Sequence, residues 1–229
     1  RTPEQQHTHR WAVVARDRFL SGWGGAAGGA SRCAWAVPLE PNGGTLALNS
    51  ALDQDEGDIG YLRQPPKPPK HLAAFGYLLL FASLAWSAVF LKVRPGGKYF
   101  FEIVMTCVLM SIVYSVPPIR LKAREGWDLL INCLGFGFFT PMAGWVATRR
   151  GLTPVLVDLC VGFGLLFAAL YPLTQIYQVE EDTRRGDQTL VIRMGVGRSL
   201  TYAILATLAA HLWFAQACLK AHVGPAPLV

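Results

Sequence analysis

Four carboxylates, Asp53, Asp55, Glu56 and Asp58, crowd into six positions directly after the apolar stretch that contains Leu46, Leu48 and Leu52. A second acidic group, Glu180, Glu181, Asp182 and Asp187, with Arg184 and Arg185 among them, follows another long apolar run. Carboxylates at that density repel one another and need a partner. A divalent cation with oxygen ligands answers the need, because Mg²⁺ takes one or two carboxylates and shares the phosphate oxygens of a substrate. A solvated acidic loop at a membrane surface is the alternative for either group alone. Two such patches, each where a hydrophobic run meets water, read as two halves of one metal–diphosphate site. Arg120, Lys122 and Arg124 form a basic loop between them. Arginine grips phosphate through two parallel N–H bonds and lysine acts as a point charge, so this loop would neutralise a diphosphate and stabilise it as a leaving group.

The elements that must position these residues are membrane helices. Of 229 residues 52% are hydrophobic and only 16% charged, against the roughly 25% charged of soluble domains. Five apolar runs, 71–91, 99–116, 127–147, 155–177 and 199–219, each have about the ~20 residues that a helix needs to cross a bilayer. Backbone groups in lipid must be satisfied internally, so these are helices and not open strands. Pro141 and Pro172 lie inside spans and predict kinks. Gly43-Gly44 predicts only the last turns of a helix before Asp53. Residues 1–42 read as an unassigned, poorly ordered segment, 43–219 as the transmembrane domain and 220–229 as a short tail. The loops on the side of both acidic clusters hold ten Lys and Arg and the opposite loops six, which places the motif loops on the cytoplasmic face. The net charge of +6 is explained by these loops and calls for no nucleic acid. The five cysteines have no metal-binding or disulfide spacing and read as packing residues.

Three motifs in order resemble the UbiA superfamily of intramembrane prenyltransferases. Asn49-x-x-x-Asp53, with Asp55-Glu56-Gly57 after it, is similar to the family's first Asp-rich motif. Tyr114-Ser115-Val116-Pro117-Pro118-Ile119-Arg120-Leu121-Lys122 looks like its basic loop. Asp182-x-x-x-Gly186-Asp187-x-Thr189-Leu190 resembles the tail of its second motif, with Gln178 where the family pattern has an acid. The resemblance covers about residues 43–219 and implies an all-α polytopic bundle of five full spans plus a partial N-terminal one. Family members usually have nine helices, so the first helix, most of the second and the last two are expected to be missing here.

The resemblance implies Mg²⁺-dependent transfer of a prenyl group from an isoprenoid diphosphate to an aromatic or quinone-like lipid acceptor. Asp53, Asp55, Glu56, Asp58, Glu181 and Asp182 would bind Mg²⁺. Asn49, Arg120 and Lys122 would meet the diphosphate, and Tyr114, Tyr177 and Gln178 would line the donor site. Tyr171 is a further candidate beside an allylic cation; the alternative for the tyrosines is an interfacial aromatic belt. Asp158 reads as a helix-start cap and His211 as a packed, hydrogen-bonded histidine. Two other functions remain open: a non-catalytic prenyl-lipid binder or truncated relative, and a cation-coupled transporter with intramembrane acids.

Overall fold

The computed structural model describes residues 30–53, 67–93, 97–148 and 151–223. By its internal contacts the chain divides into residues 1–36 and residues 37–229; the fold below is that of the second unit. The expected carboxylates Asp55, Glu56 and Asp58 lie outside the described residues, as do positions 1–29.

The described residues are helical, with no strand. Helix α1 (Ala30–Asp53) leads to α2 (Leu72–Val93) and α3 (Gly97–Ser115). A short 3₁₀ turn, Leu121–Ala123, precedes the span α4 (Trp127–Ala147). Next come α5 (Pro154–Gln175), a 3₁₀ turn, the short α6 (Val179–Arg185), α7 (Leu190–Met194) and α8 (Val196–Val223). Five of these segments are long and apolar enough to cross a membrane: α2, α3, α4, α5 with its extension through α6, and most of α8. The polytopic helical bundle expected from the sequence is therefore the observed fold, and the chain is a multi-pass membrane protein.

Inside lipid, small residues let helices pack closely, and the sequence puts them at the crossings. On α8, Ala203, Ala206, Ala210 and Ala217 are buried while Leu205, Leu208, Leu212 and Leu219 point outward. The spacing of three, four and seven is one face of a helix. That face lies along α5, where Ala168 and Ala169 join Ala206 in a buried cluster. On α4 a Cβ at Gly137 would come within 2.5 Å of the Gly164 Cα of α5. Between α1 and α2, a Cβ at Gly76 would meet the Leu48 backbone nitrogen at 2.8 Å.

Three local readings change. Helix α1 starts at Ala30, well before Gly43. Gly44 does not end it but allows its approach to α2, where Leu48 and Leu80 are fully buried. Within α4, residues Cys133–Phe139 form a π-helical stretch directly before Pro141. There the Thr140 hydroxyl donates to the Gly135 carbonyl at 2.8 Å. Asp158 is not a cap: Thr153 takes that role, accepting from the Leu156 N–H at 3.2 Å. Asp158 instead accepts from Lys220 Nζ at 2.7 Å, tying α8 to α5 at the end remote from the acidic motifs. His211 is bonded to the Thr207 carbonyl of its own helix but is exposed, and Cys218 is exposed too.

Because backbone lines the Gly76 crossing, Gly76→Leu should cost about 1–3 kcal/mol, the usual range for overpacking. Thermal unfolding in detergent should show a lower midpoint for Gly76→Leu. Gly144→Ala, where a Cβ meets nothing within 4 Å, should unfold at or above the wild-type midpoint. Equal midpoints for wild type and Gly76→Leu would mean that α1 is not held against α2.

Candidate functional site

Three segments far apart in sequence end at one cavity of about 290 Å³: the C-terminal turn of α1, the basic loop after α3, and the α5–α7 connection. Pockets for small ligands start at about this size. Asn49, Asp53, Lys122, Asp182, Arg185 and Asp187 line it, together with Tyr114, Tyr171 and Phe136.

Helix α1 delivers Asn49 and Asp53 one turn apart, on the same face. The Lys122 ammonium donates to Asn49 Oδ1 at 2.9 Å and touches the Asp53 carboxylate. Ser115 donates to Asn49 Oδ1 from the end of α3. Arg120 has a left-handed backbone, φ 38° and ψ 61°, a conformation that costs a non-glycine residue free energy and persists only where surrounding contacts enforce it. Here the contacts are a two-pronged grip on Asp187, at 2.6 and 3.0 Å, and an approach to Asp53 at 3.6 Å.

The second acidic motif owes its geometry to a glycine. Gly186 ends α6 with φ +77°. Its N–H donates to the Thr183 carbonyl, and the Asp187 N–H donates back to the Asp182 carbonyl at 2.9 Å. This is the Schellman cap that a left-handed glycine permits. It folds Asp187 back beside Asp182, so a spacing of five residues gives two carboxylates on one cavity. Arg185 stands between them, 2.7 Å from Asp182 Oδ1 and 3.7 Å from Asp187 Oδ2, and donates to the Asp53 carbonyl at 3.3 Å. The Gln188 N–H then donates to the Ala123 carbonyl at 2.9 Å, docking the turn on the basic loop.

Of the residues singled out from sequence, Asn49, Asp53, Tyr114, Lys122, Tyr171, Tyr177, Gln178 and Asp182 line the cavity. Arg120 stands behind Asp187 and Asp53, while Glu181 reaches Arg185 at 3.8 Å without lining the cavity. Tyr177 is half exposed. The Tyr114 hydroxyl shares a hydrogen bond with that of Tyr171 at 2.8 Å. Sequence reasoning placed Arg185 and Asp187 in the second acidic group but gave neither a part of its own, although the glycine between them was the available signal. It also missed Asp128 and Gln175, a buried pair with no signature in the spacing.

Asp53, Asp182 and Asp187 offer the hard oxygen donors that suit Mg²⁺. Among the described residues, no group of three or more His, Cys, Asp or Glu side chains is placed to hold a metal ion by itself. Among the described residues, three cations, Lys122, Arg120 and Arg185, are paired with these three carboxylates. The donor set thus fits an ion that completes its shell with phosphate oxygens.

The sequence profile of the UbiA prenyltransferase family matches residues 42–229. A probable homogentisate phytyltransferase 2, chloroplastic, from Oryza sativa subsp. japonica is 30% identical over 127 residues, which is 52% of this chain and 32% of that protein. The match thus spans about a third of that relative. No solved structure matches the chain significantly.

Burial, then the nearby Arg185 guanidinium, pull the Lys122 ammonium down to about 8 from its ordinary 10.5, while Asp187 and Asp182 oppose the shift. The Asp53 carboxylate against it works in the same sense as those two aspartates. Lys122 is therefore charged at neutral pH and loses its proton at lower pH than a free lysine. The folded protein binds fewer protons than the unfolded chain between about 8 and 10.5, so this group's contribution to stability rises across that window and is constant below it. Anion binding runs the other way. Calorimetric affinity for inorganic diphosphate with Mg²⁺ should weaken as pH rises through about 8, and Lys122→Arg, which stays charged, should flatten that fall. Superimposable pH profiles would rule Lys122 out as the titrating group.

Proposed function

The chain belongs to the UbiA prenyltransferase family, and from that premise we propose that it transfers a prenyl group from an isoprenoid diphosphate to an aromatic or quinone-like lipid acceptor. The observation that carries this reading is the meeting of Asp53, Lys122, Asp182 and Asp187 around one cavity at the end of apolar helices. A diphosphate head would sit among these charges while its hydrocarbon tail stays between helices. The name of the rice relative refers to homogentisate, a phenolic compound, and that favours an aromatic acceptor.

Mg²⁺, held by Asp53 and Asp182 with Asp187 near, would supply charge to the diphosphate; Asp55, Glu56, Asp58 and Glu181 belong to the same proposed set. The chain's own part is its positive charge. Lys122 and Arg185 now rest on Asp53 and Asp182. With a cation held by those carboxylates, the Lys122 ammonium, the Arg185 guanidinium and Arg120 would be the groups that meet phosphate oxygens. Asn49 keeps the Lys122 ammonium in place through its Oδ1. Of everything such a site can do for the reaction, neutralising charge on the leaving group lowers the barrier most. Tyr114, Tyr171 and Phe136 present aromatic surface to the allylic cation left behind, and Phe136 is itself fixed by stacking on Phe167 at 5.8 Å. Gln178 and the half-exposed Tyr177 sit at the cavity wall on the diphosphate side of the reading. The positive loops give a cytoplasmic orientation to this face. Residues 43–219 form the working unit; of the expected tail 220–229, residues 220–223 belong to α8, and Lys220 ties it to α5.

Gln178, where the family pattern has an acid, favours a second reading in which the chain binds prenyl diphosphates without turnover. The two readings part on diphosphate release from a panel of prenyl diphosphates and aromatic acceptors by protein purified in detergent. We expect release that needs Mg²⁺ and falls at least about 100-fold in Asp53→Ala and in Asp182→Ala, the scale on which electrostatic groups at a reacting centre act. Saturable binding of the same donors with no release from any of them would establish the binding-only reading.

A further inference from the structure

The cavity wall also carries an uncharged polar surface that the ion network leaves unused. Asp128, in the first turn of α4, is fully buried. Its Oδ2 accepts from Gln175 Nε2 at 2.8 Å and from the Leu190 backbone N–H at 3.1 Å. A carboxylate only accepts, so the amide of Gln175 has one way round: nitrogen toward Asp128, oxygen away from it. That oxygen, Gln175 Oε1, is buried with no hydrogen-bond partner, and so is the hydroxyl of Thr189, the residue before Leu190. Both side chains line the cavity, and each residue is only 4% exposed. Because Gln175 Nε2 and the Leu190 N–H share one oxygen, the two unpaired groups belong to the same patch of wall. Native proteins rarely leave such atoms unpaired, and each one calls for an explanation.

We propose that Gln175 and Thr189 form the subsite that takes a hydroxyl of the aromatic acceptor, with Asp128 as the positioning residue behind them. The proposal rests on the prenyl-transfer reading and names its acceptor chemistry. Gln175 Oε1 can only accept, so its ligand must bring a hydrogen-bond donor, which a phenol does through its O–H. The Thr189 hydroxyl both donates and accepts and completes the pair. An aryl ether offers no proton to Gln175 and a carboxylate would be repelled by it, so the subsite selects phenols. No proton is transferred at Gln175, whose amide is not basic; it orients the ring.

Calorimetric titration of the full chain in detergent with hydroquinone and with 1,4-dimethoxybenzene tests this. Wild type should prefer hydroquinone. Gln175→Leu should lose about tenfold in hydroquinone affinity, the worth of one hydrogen bond, with dimethoxybenzene little changed. Asp128→Leu is the sharper probe. With no acceptor beside it, Gln175 is free to turn and present Nε2, and the preference should move from the phenol toward the ether. A loss of stability alone would weaken both ligands equally, and that result, or an unaltered preference in both variants, overturns the subsite. If Gln175→Leu is not monodisperse, Thr189→Val carries the same comparison. Absence of diphosphate release by the wild type counts against prenyl transfer itself. Indifference to the two probes in a protein that does release diphosphate overturns the subsite alone.

Discussion

The structure depends on one charge network at the end of an apolar bundle. Asp53 with Lys122 and Asp187 with Arg120 join three segments, and Arg185, held on Asp182, reaches across to the Asp53 carbonyl. Lys122, Asp182 and Asp187 are nearly inaccessible to solvent. Taking ions out of water costs several kcal/mol each, and pairing repays this only with good geometry and further hydrogen bonds. Such a network is a weak source of stability. What it provides is a set of charges that are already desolvated and already positioned.

Everything around the network keeps the three segments from drifting. Gly44 and Gly76 let α1 lie against α2, which fixes the height at which Asn49 and Asp53 emerge. Gly137 against Gly164 does the same for α4 and α5. The π-helical stretch Cys133–Phe139 follows Asn132 and contains Phe136, two residues of the cavity wall. Such stretches are frequent at functional sites because an extra residue per turn re-aims side chains. Gly186 then turns the chain so that Asp187 joins Asp182. The chemistry is polar, but its positioning is done by small residues and by helix ends.

What the sequence revealed follows from the range of each signal. The spans were legible because lipid demands a minimum length of apolar residues, and observed helices keep close to the predicted runs. The carboxylates and the basic loop were legible because charge is conspicuous in a chain so apolar. The start of α1 was not. Pro38, Pro41, Gly43 and Gly44 each argue against a helix locally, yet α1 runs through them, and at Gly44 contact with α2 accounts for it. Asp158 looked like a cap from its place near a helix start, and only the folded chain shows Lys220 beside it, 62 residues on. Asp128 and Gln175, 47 residues apart, leave no trace in spacing at all. Short-range patterns name the elements, and pairings across them must be seen.

The central claim is that the cavity binds a diphosphate and a divalent cation as one unit, because each of the carboxylates described there already holds a cationic side chain. Titration of a non-hydrolysable prenyl diphosphonate into the detergent-solubilised protein, with Mg²⁺ and again with a chelator, measures this directly. The account predicts strong coupling, with each ligand weak alone and the analogue at least about tenfold tighter with the ion, a coupling of about 1.4 kcal/mol. Equal affinity with and without Mg²⁺ would contradict it and leave the basic side chains to bind the diphosphate unaided.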